Sequence, residues 1–236
     1  MEKNNIVLKI GGSLLFEQEN KINSKRIIDI CEIIRNSYNY NTIIIVVGGG
    51  IIAREYINFI RKTTKNEALS DIMGINISRI NAQLIISYLG NKAYPIVPKS
   101  IEDLSCAVLT GRIIIMGGLQ PGQSTTSVAL EVAEFIKAEK VLILTNVDGI
   151  YDKDPKKNKD AKKINRLNYD GLKNLILAES DNNQAAAGEY RIFDAVSLQI
   201  LKRSNIKVLI GSGLELNNFK KCWNGELENF GTIISD

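Results

Sequence analysis

Two cations and four glycine-rich or polar stretches are the residues of this chain best suited to chemistry. Lys9 sits in an otherwise apolar run, Ile6, Val7, Leu8 and Ile10, and is followed at once by Gly11, Gly12 and Ser13. A lysine in such a run is costly unless its ammonium snorkels to solvent or faces a negative charge. Gly48-Gly49-Gly50 ends a second apolar run, and Arg54 follows one helical turn later, which suits a phosphate better than a bare turn does. Gly117-Gly118-Leu119-Gln120-Pro121-Gly122-Gln123-Ser124-Thr125-Thr126 joins a flexible backbone to a stiff proline and to hydroxyls at the mouth of a helix. Taken alone it reads equally as an anion loop and as a turn that caps a helix. Thr145 to Tyr151, with Asp152 and Asp154 beyond, holds an aromatic ring to stack a base and acids to meet ribose or metal-linked phosphate. A plain Asp- and Asn-rich turn is its other reading.

The elements that must position these stretches alternate between short apolar runs and helical patterns. Residues 6–10, 43–47, 113–116, 141–144, 207–210 and 232–234 read as strands. Helical periodicity appears over 24–36, after Gly50, over 71–89, from the Gly117 loop to about Lys137, and over 169–179 and 192–204. Residues 94–97 read as a short edge strand, because Pro95 and Pro98 remove ladder donors. Asp71 at a helix start reads as a cap or as a ligand. The polar residues 180–188 read as a mobile loop. Alternation of this kind predicts an α/β fold with a mainly parallel sheet buried on both faces, and ligands of such sheets gather at the carboxyl ends of strands. The four stretches should therefore converge. None has the spacing of a P-loop or of a dinucleotide fingerprint.

Composition narrows the function further. The chain has 236 residues, 44% hydrophobic and 24% charged, which fits a single globular α/β domain over 1–236. A net charge of +4 is mild, and its one dense patch, Lys156, Lys157, Lys159, Lys162 and Lys163, reads as a solvated loop or as an attraction for polyphosphate. Nucleic-acid binding is not implied. Three scattered cysteines suit reduced thiols in the cytoplasm rather than a disulfide framework. Neither a signal peptide nor a membrane span is expected. The chain has no histidine, so imidazole bases and triads are excluded, and chemistry must rest on lysine, arginine, aspartate, backbone donors and a metal brought by the substrate.

In order and spacing, several motifs resemble those of the amino-acid kinase superfamily, and within it the archaeal type of uridylate (UMP) kinase. They are Leu8-Lys9-Ile10-Gly11-Gly12-Ser13, Val47-Gly48-Gly49-Gly50 with Ala53-Arg54, Asp71 with Gly74-Ile75 and Ser78-Arg79-Ile80-Asn81-Ala82, Met116-Gly117-Gly118 with Pro121 to Thr125, Thr145 to Tyr151 with Asp154-Pro155-Lys156, and Gly231-Thr232. The resemblance runs nearly end to end. It implies a three-layer α/β/α sandwich that transfers the γ-phosphoryl group of ATP to UMP for pyrimidine nucleotide synthesis. An acceptor lobe would span about 1–137 and an ATP lobe 138–236.

By motif, the resemblance assigns Gly49, Asp71, Leu119, Gln120, Pro121, Gly122, Gln123, Ser124 and Thr125 to UMP. It assigns Gly12, Ser13, Gly50, Arg54, Thr145, Asn146, Tyr151 and Asp154 to ATP. Lys9, assisted by Arg54, would stabilise the transferring group, with Mg²⁺ held mainly through the ATP phosphates. A homohexamer built from dimers is also implied, with the helix over 71–89 as an interface. The chain departs from other branches in having Asp194 where a second lysine stands, and Asn146 where an acid often stands. It also lacks a proline after Asp194. Kinases of the same fold with other acceptors, a non-catalytic nucleotide-binding protein and a storage assembly are the competing readings. The relative acting on isopentenyl phosphate relies on a histidine that is missing here.

Overall fold

The computed structural model describes residues 4–236 apart from 37–38, 154, 156–157 and 181–191. At the centre of its main sheet lies β1 (Asn4–Ile10), where Ile6, Val7 and Leu8 are all buried and so can face helices on either side. β1 pairs in parallel with β2 (Tyr40–Val47), which pairs in parallel with β3 (Ile114–Met116). On its other side β1 pairs in parallel with β4 (Lys140–Thr145). β5 (Ile150–Tyr151) and β6 (Lys163–Ile164) form a separate antiparallel ribbon. β7 (Arg166–Leu167), β8 (Lys207–Ser212) and β9 (Gly231–Ile234) complete the main sheet, whose order is β3-β2-β1-β4-β8-β9-β7. Only the β8–β9 pairing within it is antiparallel among the described residues.

Strand alternation sends successive side chains to two different cores. On one face Leu8, Ile10, Ile45 and Leu142 pack with α1 (Ser24–Arg35), α3 (Glu67–Leu89) and α8 (Leu216–Trp223), through Ile30, Ile85 and Trp223. On the other, Val7, Val46, Ile143 and Val208 pack with α4 (Ile101–Val108), α5 (Thr125–Phe135), α6 (Tyr169–Ser180) and α7 (Ala195–Ser204), through Leu104, Val128, Leu172 and Leu201. α2 (Gly50–Thr64) lies against α3, with Ala53, Ile57 and Ile77 in a small third cluster. The result is the expected three-layer α/β/α arrangement.

Several local expectations change. α3 begins at Glu67 because Asn66 caps it, its side chain accepting from the Leu69 amide at 3.1 Å, so Asp71 stands a turn inside the helix and is not its cap. Residues 94–97 form no strand. Pairing there is limited, among the described residues, to a single bridge between Ala93 and Ile113, with the Tyr94 amide on the Ile113 carbonyl and the Ile113 amide on the Lys92 carbonyl, as expected where two prolines withhold donors. The helix expected from 192 begins at Ala195, since Asp194 takes extended backbone angles and forms a capping box with Ser197. α4, α8 and the strands β5, β6 and β7 went unread, being eight residues or two residues long and too short for a period to stand out. The expected loop over 180–188 lies, beyond Ser180, outside the described residues, and so do Asp154, Lys156 and Lys157.

Candidate active site

The carboxyl ends of β1, β2 and β4 meet through backbone contacts. The Gly11 amide donates to the Leu144 carbonyl at 2.8 Å, and the Gly48 amide donates to the Ile10 carbonyl at 2.9 Å. Gly12 opens a short 3₁₀ turn, Gly12–Leu15, and a Cβ on it would lie 2.1 Å from the Gly50 nitrogen and 2.6 Å from the Gly48 oxygen. Gly50 has φ +71° and would place a Cβ 2.5 Å from the Gly12 oxygen. Glycine is required on both sides, because any side chain would wedge the two loops apart. α2 starts at this junction with Gly49 before it and no side-chain cap, so its first amides remain donors for an anion. Arg54 stands one turn along α2, and among the described residues neither it nor Lys9 joins an ion pair.

Lys9 lies opposite Val46 and Ile143 and shares a sheet face with Val7, the face that α5 covers. It keeps partial exposure, yet the surrounding protein desolvates its ammonium and pulls its pKa down to about 8. Among the described residues no acid pairs with that charge to offset the burial. An anionic ligand would do so.

The Gly117 to Thr125 loop returns the chain from β3 to α5, whose N-terminal end therefore lies at the same carboxyl edge as the end of β1. A Cβ at Gly117 would lie 2.6 Å from the Ser78 oxygen and one at Gly118 2.9 Å from Ile75, so α3 packs directly beneath the loop base. Farther out, the Asp71 carboxylate accepts from the Gly122 amide at 2.8 Å. That bond ties α3 to the loop tip and gives Asp71 a positioning contact in place of the cap reading. Leu119 packs on the core, Gln120, Pro121 and Gly122 are exposed, and Ser124 caps α5 by accepting from the Ser127 amide. Thr125 is the first helical residue. Gln123 turns onto Glu131 of α5, which leaves its buried Oε1 without a partner among the described residues.

At the end of β4, Thr145 is buried and Asn146 half-buried beside it. Tyr151 is carried farther away on the β5–β6 ribbon. Its hydroxyl donates to Asp148 at 2.7 Å, Lys163 meets the same carboxylate at 3.1 Å, and the bond to Asp148 raises the Tyr151 pKa.

Two features went unforeseen. The Gly213 amide donates to the Thr145 carbonyl at 2.7 Å, so the end of β8, Gly211-Ser212, and the Gly213 that follows it join the same edge, and a glycine pair closing an apolar run was their signal. Asp194 accepts from the Ser124 amide at 3.1 Å, the Ser127 hydroxyl at 2.6 Å and the Ser197 amide at 2.7 Å, joining the starts of α5 and α7. Burial works against its charge, but the bonds from Ser127, Ser124 and Ser197 prevail and hold its carboxyl below the usual range. Only its departure from the lysine of other branches drew notice to it. All three cysteines are free thiols, with Cys31 and Cys222 buried and Cys106 exposed.

Apposed glycine loops, helix-start amides and a desolvated lysine make a surface whose chemistry suits an anion. The model of the amino acid kinase family matches residues 4–212. The chain belongs to that family. Among its family relatives, the uridylate kinase of Sulfolobus acidocaldarius is 40% identical over 230 residues, covering 97% of this chain and 98% of that one. The uridylate kinase of Methanobrevibacter smithii is 39% identical over 221 residues, covering 94% and 95%. The crystal structure of uridylate kinase from Archaeoglobus fulgidus superposes with a TM-score of 0.78 at 33% identity, covering 98% of this chain and all of that one. The amino acid kinase fold is thus common to this chain and to relatives of nearly identical length.

Proposed function

We propose that the chain is a uridylate kinase: an oxygen of the UMP phosphate attacks the γ-phosphorus of ATP, the bond to the bridging oxygen of ADP breaks, and UDP and ADP are released. The observation that carries this reading is the Gly12–Gly50 backbone junction beside a desolvated Lys9 that joins no ion pair among the described residues. Phosphoryl transfer needs alignment and charge neutralisation more than covalent help, so a chain without histidine is equipped for it.

In this reading Gly49, Asp71 and Leu119 to Thr125 receive UMP. Gly12, Ser13, Gly50, Arg54, Thr145, Asn146, Tyr151 and Asp154 receive ATP. The Lys9 ammonium meets the transferring group, and the half-site boundary falls near residue 137. Mg²⁺ asks for one or two hard protein oxygens beside phosphates and waters, and the side-chain oxygens of Thr145 and Asn146 at the end of β4 are donors of that type. When bound it would supply charge neutralisation on the ATP phosphates. The reaction serves pyrimidine nucleotide synthesis in the cytoplasm, a compartment that suits free thiols.

A homohexamer built from dimers is part of the proposal. Tyr56 and Phe59 of α2 and Leu69, Ile72 and Ile80 of α3 expose apolar surface that a second copy would cover. No helix among the described residues is long and apolar enough to cross a membrane.

The decisive experiment incubates the protein with ATP, Mg²⁺ and a panel of acceptors, UMP, CMP, AMP and acetylglutamate, and separates the products by chromatography. UDP should dominate. A UMP lane no different from the enzyme-free control would end this reading.

A further inference from the structure

One turn of α3 carries Ser78, Arg79 and Asn81, which the assignments above leave without a task. Its polar side chains all turn to backbone. Asn81 is buried, and its amide donates to the Gly48 carbonyl at 2.9 Å and to the Gly49 carbonyl at 3.2 Å. Ser78 is also buried, and its hydroxyl accepts from the Gly118 amide at 2.8 Å while donating to the Ile75 carbonyl. Arg79 is half-buried; its Nε donates to the Gly118 carbonyl at 3.0 Å, and one terminal nitrogen reaches the Leu119 carbonyl at 3.1 Å and the Lys99 carbonyl at 3.5 Å. No ion pair engages Arg79 among the described residues; the Asp103 carboxylate acts on its charge from a distance, and its Nε and one terminal nitrogen bond only carbonyls.

A planar cation that bonds consecutive carbonyls holds the peptide planes between them in one orientation. Gly118 is gripped on both sides, its N–H by Ser78 and its C=O by Arg79. From the same turn, Asn81 holds the loop that follows β2. The spacing between the β2 and β3 loops is therefore set by side chains three positions apart on a single rigid helix.

We propose that Arg79 is a positioning residue for the acceptor nucleotide: it touches no substrate, but orients the Gly118-Leu119 backbone from which the Leu119 to Thr125 loop extends, and so governs acceptor affinity more than ATP affinity. The proposal rests on the acceptor role given to that loop above. Removing the guanidinium frees the Gly118, Leu119 and Lys99 carbonyls, the first two at the base of the loop, so the loop loosens while β1 and β4, which make no contact with Arg79 through these bonds, stay intact.

The test compares Arg79→Met, which keeps the apolar stem, with Arg79→Lys, which keeps the charge and part of the bonding. Arg79→Met is expected to raise KM for UMP about tenfold, with KM for ATP within about twofold of the starting protein, and Arg79→Lys to fall between the two. Amide hydrogen exchange on the ligand-free protein should speed up at 118–123 in Arg79→Met and stay unchanged in β1 and β4. An unchanged KM for UMP, an equal rise for ATP, or Arg79→Lys no better than Arg79→Met would overturn the proposal. Should the starting protein fail to phosphorylate UMP, the acceptor assignment falls by itself. Exchange at 118–123 then decides whether Arg79 holds the loop: unaltered rates remove the clamp as well.

Discussion

The β1–β2 junction and the β3–α5 loop are both rich in glycine, yet they are held by different means. At the junction the backbones of Gly12 and Gly50 touch, and even a methyl group would lie 2.1 Å from a peptide nitrogen. In the β3–α5 loop a Cβ on Gly122 would meet nothing within 4 Å, and the restraint comes from side chains, Asp71 at the tip and Ser78 and Arg79 at the base. At the tip Gly122 answers to backbone angle, φ +76°, rather than to crowding, whereas Gly117 and Gly118 at the base are packed against α3. A contact made of backbone admits no adjustment by substitution, whereas a loop held by side chains can be retuned one residue at a time. In the proposed reaction, the rigid region handles the phosphoryl group and the adjustable one recognises the acceptor.

Lys9 gives the sharpest test of the rigid side. Lys9→Met should lower kcat by about a thousandfold, while ATP affinity by calorimetry changes only a few-fold, since the interaction is strongest in the transition state. An equal loss of binding would make Lys9 a substrate anchor and blur the contrast. With a pKa lowered to about 8, the ammonium discharges as pH rises, so kcat/KM for ATP should fall about tenfold per pH unit above that value. Stability moves the other way. Between about 8 and the ordinary 10.5 the unfolded chain keeps a proton that the native state has released, so stability rises with pH across that window. At pH 7 the folded state bears the desolvation cost in full, and Lys9→Met should raise stability to urea by about 1–2 kcal/mol, a figure discounted for the side chain's partial exposure.

Next in size is Gly12→Ala, expected to cut kcat/KM about a hundredfold and to raise KM for ATP, because the loops must part to admit the methyl group. Activity near that of the starting protein would show that the junction yields. The smallest effect belongs to Gly122→Ala. The positive φ costs about 1 kcal/mol with no steric clash, and KM for UMP should rise only two- to fivefold. A loss as large as that of Gly12→Ala would erase the distinction between the two regions.

Much of the frame was legible because its signals are local. β1, β2 and β4 carry apolar runs, broken in β1 only by Lys9, that lead into glycine or end in threonine, and α1 and α5 carry apolar residues three and four apart. Where local signals compete, the reading slipped. Asp71 and Asn66 are both good caps, and the choice went to Asn66 because Lys65 takes the left-handed conformation that ends α2. Asp194 read as helix interior, and the hydrogen bonds that make it a cap come partly from Ser124 and Ser127, some seventy residues away in the chain. α8 is short, but it buries Phe219 and Trp223 against the sheet.

The sequence by itself determined the alternation of strands and helices, the carboxyl-edge placement of four loops, the absence of imidazole chemistry and the family resemblance. Each rests on residue type and on spacing along the chain. The tertiary structure alone decided that Gly12 abuts Gly50, that Asp71 holds Gly122, and that one turn of α3 fixes two loops at once. Those contacts join segments dozens of residues apart, and only packing the helices onto a closed sheet order brings their polar groups within bonding distance. The depressed pKa of Lys9 belongs to the same class, since desolvation depends on everything folded around a charge and not on its neighbours in sequence.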